Sequence, residues 1–90
     1  IIFNMDIENL IKNIKIKLLK DNFIENVKIE DKTYLHQNHT SHEKNKYHLK
    51  LIITSKSAKN LSKIEATKRV HKTLRDEIKK CIHSIQILFK

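Results

Sequence analysis

The sequence contains no glycine and no proline, and it has a single cysteine among its 90 residues. The motifs that need glycine to bring the backbone against a phosphate are therefore excluded, namely the Walker loop, the dinucleotide fingerprint and the GXXG clamp. The lone Cys81 cannot form an intrachain disulfide, and a reducing compartment is the simplest expectation. A chain of this length fits one domain, residues 1–90, with one hydrophobic core.

Long hydrophobic runs are also missing, because lysines and asparagines interrupt every apolar stretch. No run approaches the roughly 18 residues that a transmembrane helix needs, so no membrane partner is expected. No secretory signal pattern precedes Met5. We expect residues 1–5 to be foreign residues or the remainder of a cut leader. We also expect a cytoplasmic or mitochondrial protein rather than a secreted one.

Basic side chains outnumber acidic ones by 19 to 10, which gives a formal net charge of +9. Such a charge attracts nucleic acid, anionic lipid or an acidic protein, but it decides association rather than fold. Lysine, isoleucine and asparagine are abundant throughout, as in a genome with biased nucleotide composition, so the lysine content alone favours no single partner. The two tyrosines and three phenylalanines form no cluster on which bases could stack.

A first helix is predicted from a polar N-cap and an apolar stripe. Asp6 can accept a hydrogen bond from the first helical turn, and the helical pattern ends near Lys20. The apolar positions recur at spacings of three and four residues: Ile7, Leu10, Ile11, Ile14 and Leu18. Residues 27–30 then alternate as a short strand.

Residues 31–46 contain almost no aliphatic side chains and are rich in histidine, which predicts a long loop. Alternation begins again at Tyr47 and predicts a half-buried strand. Its two faces are an apolar face of Leu49, Leu51 and Ile53, and a polar, exposed face of His48, Lys50 and Thr54.

Ser62 and Glu65 have the spacing of a capping box, so a second helix is expected to begin there. Its predicted buried stripe consists of Ile64, Thr67, His71, Leu74 and Ile78. In the strand that follows, His83 is expected to share one face with Ile85, Ile87 and Phe89.

The predicted order is helix, strand, strand, helix, strand. One apolar face on each strand indicates a two-layer α+β fold, in which a three-stranded mixed sheet carries both helices on one face. The first two strands should pair antiparallel through the long loop. The last strand can lie parallel to a neighbour, because the second helix is long enough for a right-handed crossover.

This order, together with two segments, resembles the BolA family over nearly the whole chain. His48-Leu49-Lys50-Leu51 stands where the family carries a Ser-His-Phe-Lys-Val type of strand. His83-Ser84-Ile85 stands where the family carries a His-Ala-Leu type of step into the last strand. The spacing from Ser55 to His83 fits the family without a gap.

The sequence also departs from the family pattern at two places. Ala58-Lys59-Asn60 replaces Phe-x-Gly, and Ala66-Thr67-Lys68 replaces Arg-His-Arg. The resemblance therefore identifies a divergent member, whose implied fold is related to the class II KH topology.

The resemblance further implies a non-enzymatic partner of a monothiol glutaredoxin, which shares a [2Fe-2S] cluster for iron-sulfur assembly, delivery or iron sensing. His83 stands at the position of the family's ligand, and a loop histidine would assist it. Counting from Asp31 the loop ligand is His36, and counting back from Leu49 it is His39; the two rank equally, and His42 ranks third. The isolated monomer is expected to hold no cluster, because one or two imidazoles cannot replace four ligands.

Each candidate residue also has an ordinary structural explanation. From spacing alone, His83 is more often a helix cap or a satisfied core residue, and the loop histidines are more often solvated. A thiolate at Cys81 could ligate metal if Lys79 and Lys80 lowered its pKa, but a small buried hydrophobe is commoner. His71 is interpreted as a packing residue. A freestanding zinc site is not favoured, because the loop trio lacks a fourth ligand.

The alternative function is nucleic-acid binding through a basic ridge on the second helix. The ridge consists of Lys68, Lys72, Arg75 and Lys79, at helical spacing. Glu65 and Asp76 interrupt the positive field of the ridge, and the missing GXXG clamp argues against nucleic-acid binding. No nucleophile stands beside a base and no paired carboxylates are evident, so the chain is not expected to be an enzyme.

Overall fold

The computed structural model describes residues 6–36, 46–56 and 61–90. Its helices are α1 (Ile7–Leu19), α2 (Lys63–Thr73) and α3 (Arg75–Lys80), with a short 3-10 helix at Thr33–His36. Its strands are β1 (Ile24–Asp31), β2 (Tyr47–Ser55) and β3 (Ile82–Phe89). Within these ranges no helix is long and apolar enough to cross a membrane. Residues 1–5, the centre of the histidine-rich loop and residues 57–60, which include Ala58-Lys59-Asn60, lie outside the described residues.

The three strands form one mixed sheet in the order β1-β2-β3. The central strand β2 pairs antiparallel with β1 and parallel with β3, so that Leu51 lies between Ile29 on one side and Ile87 on the other. The predicted α+β fold with a mixed sheet is confirmed. β1 is longer than the predicted residues 27–30. Its first residues do not show the period of a strand in the sequence, because a register irregularity between Ile24 and Asn26 interrupts the alternation there.

α1 forms as its sequence predicts. The Asp6 carboxylate accepts a hydrogen bond from the Asn9 backbone N–H at 2.8 Å, which caps the first turn. Leu10, Ile14 and Leu18 are buried in the same core cluster as the apolar face of β2. The spacing of these three residues keeps them on one side of the helix, and that side faces the sheet.

The capping box of α2 is confirmed by both of its hydrogen bonds. The Glu65 N–H donates to Ser62 Oγ at 3.1 Å, and the Ser62 N–H donates to Glu65 Oε1 at 3.3 Å. The pair satisfies two backbone donors that a helix start leaves without an intrahelical acceptor.

The predicted buried stripe of this helix is wrong in its phase. Ala66 and Val70 are the buried residues of α2, whereas Ile64 is 69% exposed and His71 is exposed. Ile64 and Ala66 are two residues apart and therefore point about 200° apart around a helix, so both cannot face the core. The remaining members of the predicted stripe are Thr67 and Ile78, which are half-buried, and Leu74, which is buried.

The single second helix of the prediction is divided into α2 and α3 at Leu74, whose φ of −100° and ψ of 18° are not helical. Its side chain is fully buried. The backbone remains hydrogen-bonded through the break, because the Leu74 N–H donates to the Val70 carbonyl at 3.0 Å and the Ile78 N–H donates to the Leu74 carbonyl at 2.8 Å. The break therefore redirects the chain, while the buried Leu74 side chain keeps this point of the chain in the core.

Two ion pairs join the helical layer at its edges. The Arg69 guanidinium pairs with the Asp21 carboxylate, donates from Nε to Oδ2 at 3.1 Å, and lies 5.2 Å from the centre of the Phe23 ring. Lys17 Nζ lies 2.6 Å from Oε2 of the buried Glu77. The first pair ties α2 to the turn after α1, and the second ties α3 to α1.

A pair of isoleucine substitutions tests the corrected helix phase. Ile14→Ala, in the core side of α1, should lower the free energy of unfolding by about 2–5 kcal/mol, because it leaves a cavity. Ile64→Ala, predicted to be buried but exposed in the structure, should change it by less than about 0.5 kcal/mol. Urea unfolding of the two variants measures both values, and similar losses from both would contradict the structure.

Candidate functional site

His83 is the second residue of β3 and occupies a bulge in the pairing with β2. Tyr47 lies opposite Ile82 and His48 lies opposite Ser84, so β3 carries one extra residue at His83. This extra residue shifts the alternation. The prediction that His83 shares the face of Ile85 and the later apolar residues is therefore wrong: its side chain is exposed, and its ring lies against that of His48.

His48 is placed on the polar face of β2 as predicted, but it is not exposed. Only 6% of its surface is accessible, although alternation along β2 directs its side chain to the face of the sheet away from the core residue Leu49. Its Nδ1 lies 2.6 Å from Ser84 Oγ, and its ring centre lies 4.9 Å from that of His83, with 48° between the planes. His48 also lines a hollow at the surface, whose other polar lining residues are Lys32, Lys50, Ser84 and Gln86.

The start of the histidine-rich loop is attached to β2 at His48. The His48 N–H donates to Thr33 Oγ1 at 3.1 Å, and the Lys32 N–H donates to the His48 carbonyl at 2.7 Å. The Thr33 N–H in turn donates to Asp31 Oδ1 at 3.0 Å, which closes a tight side-chain turn. The 3-10 helix that begins at Thr33 therefore leaves the sheet beside His48, whose ring contacts that of His83.

His36 is the last residue of that 3-10 helix. Its side chain, together with His39 and His42, lies outside the described residues. The structure therefore brings His83 next to His48 and the beginning of the loop, and the choice between His36 and His39 stays a prediction.

The residues around His83 fit part of a metal site. In the described ranges no group of three histidine, cysteine or acidic residues could hold a metal ion. A [2Fe-2S] cluster takes four protein or small-molecule ligands, so His83 fits a cluster that other molecules complete. An exposed imidazole on a hydrogen-bonded strand would be such a ligand without rearrangement of the core.

Cys81 lies between α3 and β3 and is buried, with 5% of its surface accessible. Burial raises the pKa of its thiol, the negative charge of Glu77 raises it further, and Lys80 only partly opposes them. The lowered pKa that a metal-binding thiolate would need is therefore not found. The residue has a structural role instead, because its carbonyl accepts a hydrogen bond from the Tyr47 N–H at 2.9 Å.

The residues of the basic ridge are all exposed. Lys68 and Lys72 lie on α2, and Arg75 and Lys79 lie on α3, so the break at Leu74 falls in the middle of the ridge. Arg69 lies next to the ridge in sequence, but its guanidinium is held by Asp21.

Two residues beside His83 were missed by sequence reasoning. The sequence alone indicates no role for Ser84, and it predicts that His48 is an exposed strand residue. Alternation along one strand could not reveal their contact, because the bulge at His83 decides which residue of β3 lies opposite His48.

Thiol labelling tests the environment of Cys81. Because burial raises the pKa of the Cys81 thiol, protonation of this thiol stabilises the folded state. This stabilisation is complete below the ordinary thiol pKa and is lost as pH rises through the raised pKa. At pH 8 the folded protein should react with an aromatic disulfide reagent at least roughly tenfold more slowly than the denatured protein, since thiolate and access are both reduced. Equal rates, read from the released chromophore, would contradict this environment.

A family model and two solved structures are similar to this chain. The family model described as BolA-like protein matches residues 19–90. The BolA domain of SufE1 from Arabidopsis thaliana is 26% identical, with a TM-score of 0.70 over 88% of this chain and 87% of that chain. BolA1 from Arabidopsis thaliana is also 26% identical, with a TM-score of 0.74 over 93% of each chain. No curated protein matches the chain. On the family match and on the shared fold, this chain belongs to the BolA-like family.

Proposed function

We propose that this chain is a non-enzymatic partner of a monothiol glutaredoxin and that the two proteins share a [2Fe-2S] cluster. The purpose would be the assembly or delivery of clusters, or the sensing of iron. The proposal rests on membership of the BolA-like family, whose resemblance implies this role, and on the position of one side chain. The two proteins would meet in a reducing compartment, in the cytosol or the mitochondrion.

The observation that carries the proposal is the exposed imidazole of His83 at the bulge of β3. Its neighbour Ile82 is buried in the core, and both sides of the bulge are paired with β2. The ligand would therefore be presented from a rigid base to a molecule that approaches from solvent. Neutral imidazole ligates iron in Rieske centres, so it is a chemically suitable ligand for an otherwise thiolate-held cluster.

A second ligand from the loop would complete the contribution of this chain. The loop starts at the 3-10 helix beside His48, which places its first residues on the same side of the domain as His83. His36 and His39 are the candidates, with equal rank. The remaining ligands would come from the partner, so the isolated monomer is expected to be free of cluster.

Substitution of His83 tests this function. In a heterodimer reconstituted with a monothiol glutaredoxin and a [2Fe-2S] cluster, His83→Ala should abolish the visible absorption and circular dichroism specific to the heterodimer. His71→Ala is the matched control, because His71 is exposed and belongs to α2 rather than to the two strands that form the bulge. A His83→Ala heterodimer with the unchanged spectrum would refute the assignment.

Nucleic-acid binding through the basic ridge is the second candidate. The observation in its favour is that all four cationic side chains are exposed, and within the described ranges none of them forms an ion pair. A row of free cations can lie along phosphates. Against it stands the missing GXXG clamp, since this chain has no glycine.

The salt dependence of binding to duplex DNA separates a defined site from general attraction by a basic protein. If the ridge lies along phosphates, neutralising it should reduce the slope of log affinity against log salt by roughly 3–4, since each phosphate paired with a cation contributes about 0.9. The ridge variant is K68Q/K72Q/R75Q/K79Q, and a control with the same charge change is K12Q/K15Q/K20Q/K56Q, at exposed positions. Equal reductions in the two variants would leave only nonspecific polycation behaviour.

A further inference from the structure

We infer that His48 and Ser84 are positioning residues for the His83 imidazole. The hydrogen bond between His48 and Ser84 fixes the His48 ring, and contact with that ring holds the His83 imidazole in one orientation. The inference rests on the proposed function of His83 and extends it to two residues that are not themselves ligands. The three residues meet where β2 pairs with the bulge of β3.

The hydrogen bond joins the two strands directly beside His83. His48 Nδ1 lies 2.6 Å from Ser84 Oγ, and Ser84 is the residue that follows His83 in β3. A bulge interrupts the regular ladder of backbone hydrogen bonds and redirects a side chain. The side-chain bond therefore connects β2 and β3 at the point where the backbone pairing is disturbed.

His48 is itself held firmly, so it can act as a fixed surface. Its backbone N–H donates to Thr33 Oγ1 and its carbonyl accepts from the Lys32 N–H. Its ring Nδ1 is hydrogen-bonded with Ser84 Oγ. With 6% of its surface accessible, the ring has little room to adopt another rotamer.

The His83 ring rests on that fixed surface. The two ring centres are 4.9 Å apart and the planes are tilted by 48°. One side of the exposed imidazole is thus covered, which limits the rotamers that His83 can adopt in solution. A ligand that already has its bound orientation loses less conformational freedom on binding, and this preorganisation strengthens the complex.

An ordinary structural role would have a different signature. If His48 and Ser84 only stabilised the bulge, their loss would lower the free energy of unfolding and leave the orientation of His83 unchanged. If His48 were a ligand, its loss would have the same effect on a bound cluster as the loss of His83. The three roles are separable by substitution.

The first experiment uses the free domain and needs no cluster. Three-bond couplings and ring-to-ring nuclear Overhauser effects report the χ1 population of His83 by NMR. Ser84→Ala removes the hydrogen bond, and His48→Asn removes the ring while it keeps a polar atom near the Nδ1 position. Both variants should lower the ratio of major to minor rotamers roughly two- to tenfold, the effect of losing one neutral hydrogen bond.

Two further variants serve as controls in this experiment. Ser84→Thr keeps the hydroxyl group and should restore the wild-type ratio. Ser55→Ala makes the same chemical change at the far end of β2 and should leave the ratio unchanged. An unchanged His83 rotamer ratio in Ser84→Ala would overturn the inference, and this variant decides the matter if His48→Asn does not fold.

The second experiment measures the lifetime of the cluster in the glutaredoxin heterodimer under an iron chelator. Ser84→Ala should keep the spectrum but shorten the half-life roughly two- to tenfold, and Ser84→Thr should restore it. Loss of the whole spectrum in His48→Asn would mark His48 as a ligand and overturn its positioning role. An unchanged spectrum in His83→Ala would refute the proposed function alone, and the NMR result would still decide whether His48 and Ser84 orient His83.

Discussion

The pairing of β2 on both of its sides is the constraint on which the rest of the structure depends. One face of this strand contributes Leu49, Leu51 and Ile53 to the core, and the helices cover that face. A central strand satisfies its backbone groups only if both neighbours keep their register. The antiparallel partner brings the start of the histidine-rich loop to β2, and the parallel partner brings His83.

The candidate site follows from one irregularity in this pairing. If the pairing of Tyr47 with Ile82 continued as a regular parallel ladder, His83 itself would lie opposite His48. The extra residue in β3 instead places Ser84 opposite His48 and turns the His83 ring against it. The core side of β3 recovers its alternation at Ile85, which lies opposite Leu49. The bulge thus changes the polar face of the sheet while the core side keeps its packing.

The helical layer uses polar contacts at its ends and edges, and apolar contacts at its centre. Asp6 and the Ser62–Glu65 pair begin α1 and α2, whereas Arg69 and Lys17 pair with carboxylates across the layer. The Lys17–Glu77 pair matters because Glu77 is largely withdrawn from water and a lone buried charge would be costly. The same carboxylate raises the pKa of Cys81, so the surroundings that hold α3 in place also keep the thiol protonated.

Local features of the sequence determined most of the architecture. The cap and apolar stripe of α1, the capping box of α2 and the apolar face of β2 depend on residues within a few positions of one another, and all are found as predicted. The order of the elements and the two segments around His48 and His83 were enough to indicate the BolA-like family, which the family match confirms.

Tertiary structure alone decided the phase of α2, the break at Leu74 and the surroundings of His83. Ile64 looks more apolar than Ala66, but tertiary packing decides which face of α2 is buried, and Ala66 and Val70 are the residues that lie in the core cluster. Alternation along β3 assumes a regular strand, and only the partner strand shows where a residue is inserted. His83 could therefore be named as a candidate ligand from the sequence. Its ring contact with His48 and the hydrogen bond between His48 and Ser84 could not be predicted, because both depend on the register between strands that are distant in the chain.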